Sequence, residues 1–515
     1  MNIEMKKEQL TANRTVSEQI QNVTLQGDLI VPDKKPDIER ILQIDGRAVV
    51  THREASGNKI TVGGVAEFSI LYLPDGDTMP VRCIKTTLPF RDVFEADCAD
   101  DDSIRICTEA DVSSIDFTMQ NCRKLSLSAT VTLVLKAYCQ DATDIVCDIE
   151  SDFPLQIRHK TVKTYSIAAD TQTTITLPDK IEVPSGSYPV GEVLKMDATV
   201  SGQDVRVLSG KAIIKGNIIL KTLYLTPTAD APVQFMEHEL PFTEILDLKG
   251  VTEDMDCEVD YTVGSVYFET DDDAQSTLLG VEVTLYVHAR AISTASVEVP
   301  DDCYSTSVDI IPRICEKKIE YLAGTSKTHT SIRGSVNLPD DCPEIMQLYT
   351  VVAKPFIEST DNVNGDIIVR GTMDTYLLYM TADPALPLFS VKGEIPFEVT
   401  GDLQAGGADP QIECAVNLIN CGFTVTDDRS VDIRANADVL IKLICKEKVS
   451  LIEDITVNEN EPLVNRASVV ICFVKPDECL WDIAKRYKTT CENIAQTNGL
   501  DLNAPLKTGT PLIIS

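Results

Sequence analysis

Three stretches of the chain alternate apolar and polar residues over a dozen positions or so. Leu125, Leu127, Ala129, Val131, Leu133 and Leu135 fall on one side, with Ser126, Ser128, Thr130 and Thr132 between them. Leu279, Val281, Val283, Leu285, Val287 and Ala289 repeat the pattern, interleaved with Glu282, Thr284 and His288. Val431, Ile433, Ala435, Ala437, Val439, Ile441 and Leu443 repeat it once more. A side-chain period of two predicts strands with one buried face, in antiparallel sheets packed on a core. Their wealth of Val, Ile, Leu and Thr suits a half-buried pleated surface. A short helix is expected at KPDIERILQ (35–43).

The alternating stretches close three copies of one unit. ILYL (70–73), LYLT (223–226) and LLYM (377–380) each precede a proline-aromatic pair, at LPF (88–90), LPF (240–242) and IPF (395–397). Tyr72 stands 18 positions before Phe90, and the same 18 separate Tyr224 from Phe242 and Tyr379 from Phe397. Pro36, Pro189 and Pro343 stand 36, 35 and 36 positions before those tyrosines. The tyrosine-to-tyrosine period, 152 and then 155 residues, is that of a whole domain rather than a solenoid unit. The expected fold class is therefore mainly β: three antiparallel β-sandwich-like or barrel-like domains at 1–150, 151–300 and 301–447. Residues 448–468 are expected to form a polar linker with a short strand at Ile452–Val457, and 469–515 a small βααβ module.

Composition narrows the function. A formal net charge of -34 argues against binding nucleic acid or anionic membranes. The 16 cysteines are scattered without a CxxC pair, so reduced thiols are expected and structural zinc is not. No export signal and no run of about eighteen apolar residues is seen. The five histidines lie far apart in sequence, and His288 is expected to be exposed on the polar face of its strand. No P-loop, GxSxG or HExxH appears, so no catalytic residue, metal or cofactor is assigned. Asp100-Asp101-Asp102 and Asp271-Asp272-Asp273 lack the spacing of a calcium loop and are expected to be solvated loop tips.

VPDKKPDIERIL (31–42), together with the ILYL-to-LPF spacing, resembles the SPOCS-domain proteins of sporulating clostridia. The signature is full only in the first copy. The second has VPSGSYPVGEVLK (183–195) and the third LPDDCPEIMQLY (338–349), so the charges at Lys35, Asp37 and Arg40 are altered or absent there.

The tail adds a second resemblance. VVICFV (469–474) is a strand by composition, and a helix beginning near Asp477 places Leu480, Ile483, Ala484 and Tyr487 on one face. A second helix opens at Thr489-Thr490-Cys491-Glu492 and closes at Asn498-Gly499, before a strand at Thr510–Ile514. This order, with CLWDIAKRY (479–487), resembles a LysM module. Most such modules carry Gly-Asp-Thr where this chain has Asp477-Glu478-Cys479. That turn and the loop at Leu500 and Asp501 would form the groove for N-acetylglucosamine polymers. The tail from Val469 onward carries five basic and five acidic residues, so the whole charge deficit lies in the body. Trp481, the only tryptophan, either extends the module's core or anchors an interface. Leu480, Trp481, Lys485, Arg486, Tyr487 and Lys488 are the candidate partner-binding residues.

Two readings follow. The resemblance implies a coat-assembly adaptor working in the mother-cell cytoplasm, at the forespore surface. Its tail would dock on the ATPase of the coat's basement layer, stage IV sporulation protein A. The alternative is a peptidoglycan-binding protein attached to cell wall or cortex through the same tail. The missing export signal and the single LysM copy favour the adaptor, because a lone module grips glycan weakly.

Overall fold

The computed structural model describes residues 2–77, 79–96, 104–227, 233–270, 277–383, 386–404, 410–458, 469–502 and 505–514. Both aspartate triplets lie outside these residues. The first repeat has six strands: β1 (Ile3–Ile30), β2 (Ile38–Ser56), β3 (Lys59–Pro74), β4 (Arg82–Glu95), β5 (Arg105–Asn121) and β6 (Lys124–Ser151). They form two three-stranded antiparallel sheets, ordered β1-β6-β5 and β2-β3-β4. The second repeat follows the same plan with β7 (Leu155–Glu182), β8 (Glu192–Leu208), β9 (Lys211–Leu225), β10 (Val233–Asp247), β11 (Asp256–Thr270) and β12 (Leu278–Ser305). The third uses β13 (Asp309–Asn337), β14 (Gln347–Val363), β15 (Asp366–Met380), β16 (Leu388–Gln404), β17 (Gln411–Asp427) and β18 (Ser430–Asn458). Each pair of sheets encloses its own apolar core, and the alternating residues read from the sequence supply one wall of it.

The sequence landmarks are explained by this packing. Tyr72, Tyr224 and Tyr379 are fully buried, and each hydroxyl donates to a main-chain carbonyl 36 residues upstream: Pro36, Tyr188 and Pro343. In the second repeat Pro189 therefore stands one place after the acceptor. Phe90, Phe242 and Phe397 lie across the ladder from Gly64, Gly216 and Gly371. A Cβ on any of these glycines would meet the partner phenyl ring at less than 3 Å, so glycine makes room for the aromatic. Burial pushes the Tyr72 phenol up to about 12.

The residue before each tyrosine points the other way. Leu71, Leu223 and Leu378 leave their own cores and meet in one cluster shared by all three repeats. Each such leucine, buried on folding, contributes roughly 2 kcal/mol. The long strand pairs β1/β6, β7/β12 and β13/β18 run past the sandwiches and meet in a second shared cluster. It holds Leu10 and Ile145, Val162 and Val299, and Ile319 with Val449. Every repeat touches both others, so the three close on a common centre. Polar groups near it are paired across repeats, Lys442 with Glu258 and Lys136 with Glu413, and Glu18 of its own repeat also holds Lys136.

Two expectations are overturned. Residues 35–43 do not form a helix: a turn at 33–34 leads into β2 at Ile38. Register shifts between Ile38 and Arg40 and between Ile41 and Gln43 insert extra residues into that strand. Such bulges break the period of two, leaving Ile38, Ile41 and Leu42 at a spacing that mimics a helix. The linker expected over 448–468 does not begin at 448, because β18 continues to Asn458 with Val449, Leu451 and Ile452 buried. Residues 459–468 lie outside the described residues.

Candidate docking site

The tail folds as β19 (Val470–Phe473), α1 (Leu480–Arg486), α2 (Cys491–Asn498) and β20 (Pro511–Ile514), with β19 and β20 antiparallel. Leu480, Ile483 and Ala484 of α1 and Ile494 and Ala495 of α2 pack on Cys472, Val474, Leu512 and Ile514. Helix α1 starts at Leu480, three residues later than read from sequence. Asp477 takes a left-handed φ of 60°, where the resembled modules carry glycine, and the turn it makes delays the helix. Cys479 is the N-cap, and the Asp482 carboxylate accepts its N–H at 3.0 Å. In α2 the Thr490 hydroxyl accepts the Asn493 N–H at 3.1 Å, and Gly499 ends the helix at φ 64°.

The residues assigned to a glycan groove serve the module's own turns. Glu478 pairs with Arg486 and accepts the Lys475 N–H at 3.0 Å. Cys479 turns both its N–H and its thiol on Asp482. The Leu500 N–H donates to the Ala495 carbonyl at 2.9 Å and its side chain joins the module's core, while Asp501 is exposed. Of the candidate partner residues, Leu480 is 8% exposed and belongs to the core, Arg486 holds the turn, and Tyr487 packs at the core's edge.

Trp481, Lys485 and Lys488 face another part of the chain. The Trp481 Nε1–H donates to Asp302 Oδ2 at 2.8 Å, and Lys485 Nζ reaches Asp302 Oδ1 at 2.5 Å. Lys488 Nζ pairs with Asp309 Oδ1 at 2.6 Å. The Trp481 indole meets the Tyr304 ring edge-on, with centroids 4.9 Å apart, and the Arg158 guanidinium lies 5.6 Å from its centre. The Tyr304 hydroxyl donates to the Thr489 carbonyl at 2.7 Å, and Tyr304 itself is only 1% exposed. Asp302, Tyr304 and Asp309 flank the open β12–β13 hairpin, a tight turn whose strands pair with β7 and β18 rather than with each other, where the second repeat passes to the third. Asp301 is the extra residue of a bulge beside them, and two hydrogen bonds of 2.9 Å fix Arg158 on its carboxylate. None of these four groups was singled out from sequence. They stand 177 or more residues before the side chains they meet, and the only signal was a tyrosine interrupting an acidic strand end.

On the far side of the module, Ile471, Phe473 and Ile513 are exposed, at 62, 63 and 43%.

One mixed donor cluster exists among the described residues: ligand atoms of Cys107, Asp260 and His288 lie within 4.8 Å of one another, between the first and second repeats. Its charges are already matched. Asp260 takes Arg290 at 2.8 Å, and His288 Nε2 lies 3.0 Å from Asp170 Oδ1. Burial alone would lower the His288 pKa, but hydrogen bonds to Asp170 and Cys107 outweigh it and raise the value to about 9. At neutral pH the imidazolium is a buried ion-pair partner with no lone pair for a metal. It is also not the exposed residue expected from sequence, since its side chain is 12% exposed.

Comparison with protein families matches the model described as "SipL, SPOCS domain" over residues 37–120, 189–271 and 344–424, and the LysM domain over 474–515. No curated protein and no solved structure matches the chain. The three SPOCS matches fall on β2–β5, β8–β11 and β14–β17, so the long pairs that join the repeats lie almost wholly outside them. Both are families of binding domains, and among the described residues no helix is long and apolar enough to cross a membrane. With the two models matching more than half of its residues, the chain belongs to the SipL-like SPOCS-domain proteins that end in a LysM domain.

Proposed function

We propose that the protein is a non-enzymatic adaptor of spore-coat assembly in the mother cell. Three SPOCS domains make the scaffold, and the LysM tail docks on the basement-layer ATPase, stage IV sporulation protein A. One observation carries the choice of protein over sugar: the turn that would line a glycan groove is spent inside the module. Glu478 is held by Arg486, and Cys479 by Asp482. The uneven charge supports the same reading, because an acidic body keeps adaptors apart while a neutral tail meets the partner without repulsion. The docking face is that of Trp481, Lys485 and Lys488, supported from within by Leu480, Arg486 and Tyr487.

A pull-down with the purified ATPase tests the reading. The full chain is expected to retain the ATPase, and removal of 469–515 to abolish retention. Co-sedimentation of the full chain with insoluble peptidoglycan through the same segment, without ATPase binding, would replace the adaptor with the glycan-binding alternative.

A further inference from the structure

The face proposed for docking is already occupied by the chain itself. We infer that the β12–β13 hairpin is a built-in competitor for the partner, and that its chemistry describes the surface the partner presents. The inference rests on the docking reading above and adds its regulation.

The contact centres on a buried aspartate turned almost wholly to the tail. Asp302 is 8% exposed, yet its two oxygens serve only residues of the tail beyond its own backbone neighbour: the Trp481 indole N–H and the Lys485 ammonium. Tyr304 is counted within the module's own core although it belongs to the second repeat. The corresponding places in the other repeats follow from the bulges. Lys6, Arg158 and Arg313 lie opposite Asp148, Asp302 and Asp454, and two positions on stand Glu150, Tyr304 and Thr456. Only the second repeat has the aromatic. The hairpin end that carries Asp309 carries Leu155 in the preceding repeat. The tail thus meets one hairpin of particular chemistry rather than any edge of the scaffold.

A protein that takes the hairpin's place must satisfy the same donors. These are an indole N–H, two ammonium groups and a ring edge, and beside them the bare carbonyl of Thr489. Two carboxylates and a tyrosine hydroxyl do so here. The partner surface is accordingly an acidic patch with a hydroxyl-bearing aromatic. A two-state argument gives the size of the effect. If the module is docked on the hairpin nine times in ten, the apparent affinity for the partner falls about tenfold, in proportion to the open fraction.

The test uses the full chain carrying Asp302→Asn with Asp309→Asn, which keeps side-chain volume and removes both ion pairs. The single tryptophan reports docking without a label. Trp481 emission of the variant is expected to shift to longer wavelength, and its affinity for the basement-layer ATPase to rise about tenfold. Unchanged emission and unchanged affinity would show that the hairpin does not hold the face, and would overturn the inference. Shifted emission with unchanged affinity would overturn the competition. Loss of binding in Phe473→Asp would then place the partner on the outer sheet face. Failure of the wild-type chain and the variant alike to bind the ATPase would sink the docking reading and the competition with it, while emission still decides whether the hairpin contact forms. Tyr304→Phe, which removes only the bond to Thr489, guards against a misfolded double variant. Its emission is expected to move the same way by a smaller amount.

Discussion

Two open hairpins, turns between strands of different sheets, join the three repeats, and only the second holds the tail. At β6–β7 the bulge leaves Cys147 unpaired in the ladder, and Lys6 bonds Asp148 and Glu150 in the open, with side chains about half exposed. At β12–β13 the same bulge leaves Asp301 unpaired, and Arg158 caps it. The next aspartate, Asp302, is buried under Trp481 and Lys485. The same backbone device with the same charge order is solvated in one place and desolvated in the other. What differs is Tyr304 against Glu150, Asp309 against Leu155, and Arg158 on Asp301 against Lys6 beside Cys147. Repetition supplied the geometry, and a few side chains, Tyr304 and Asp309 chief among them, turned one copy into a contact.

The strongest way to break that difference is to write one hairpin into the other. Tyr304→Glu places the first hairpin's residue in the second. It removes an aromatic from a packed contact and sets a carboxylate where the Tyr304 ring stood. Truncating a buried aromatic costs about 3–5 kcal/mol, and this contact has no other ring to replace it. The tail is expected to leave the hairpin outright, read as a red shift of Trp481 emission. The repeats should keep their melting temperature, since the first hairpin is stable with glutamate there.

A smaller step compares the two aspartates directly. Asp302→Ala leaves the indole N–H and the Lys485 ammonium facing a vacated, partly buried site, at a cost of about 2–3 kcal/mol. Asp148→Ala removes half of an exposed pair, so no change in melting is expected. Equal losses in thermal unfolding of the two variants would mean that burial does not separate the hairpins.

Much of this could be read from the chain. Alternation gave the closing strand of every repeat, and the spacing of Tyr72, Tyr224 and Tyr379 gave three domains, because each tyrosine must reach a carbonyl at a fixed separation. The module's helices followed from Thr490, Gly499 and the apolar face of α1. The closing of the repeats on one centre was hidden. Leu71, Leu223 and Leu378 look like part of an ordinary apolar run until their neighbours' faces are known. Strand β2 was hidden by its bulges. The candidate residues on α1 were legible as a set of donors, but not their occupant: Asp302 is 179 residues from Trp481, and nothing local to either announces the pair.

Acid and alkali should separate the tail contact from the contact between repeats. The hydrogen bond and charge of Lys488 hold the Asp309 carboxyl below its ordinary value. A group depressed in the folded state contributes above its unfolded pKa and loses that contribution as pH falls through the folded one. The share of docking due to Asp309 is therefore present at neutral pH and lost below about pH 4. His288 runs the other way. With a folded pKa raised to about 9, its contribution is complete below about 6.5 and disappears as pH climbs through 9. Trp481 emission should move only at the acid end, and melting of the repeats should fall on the alkaline side. A common midpoint for both signals would show that the tail and the repeats come apart together.

The mildest change separates the module's own stability from its docking. Asp477 holds a φ of 60° without contributing to the hairpin contact. A left-handed conformation costs an L-residue about 1–2 kcal/mol, and aspartate less than most. Glycine removes that cost but adds unfolded-chain entropy, about 0.5–1 kcal/mol against it. The two nearly cancel, with strain relief ahead by at most about 1 kcal/mol. Asp477→Gly should thus raise the denaturant midpoint of the Trp481 transition slightly and leave its emission in buffer unchanged. A shifted emission in buffer would mean that the turn before α1 positions the tryptophan on Asp302, and that the hairpin's grip depends on the module's shape as well as on its own side chains.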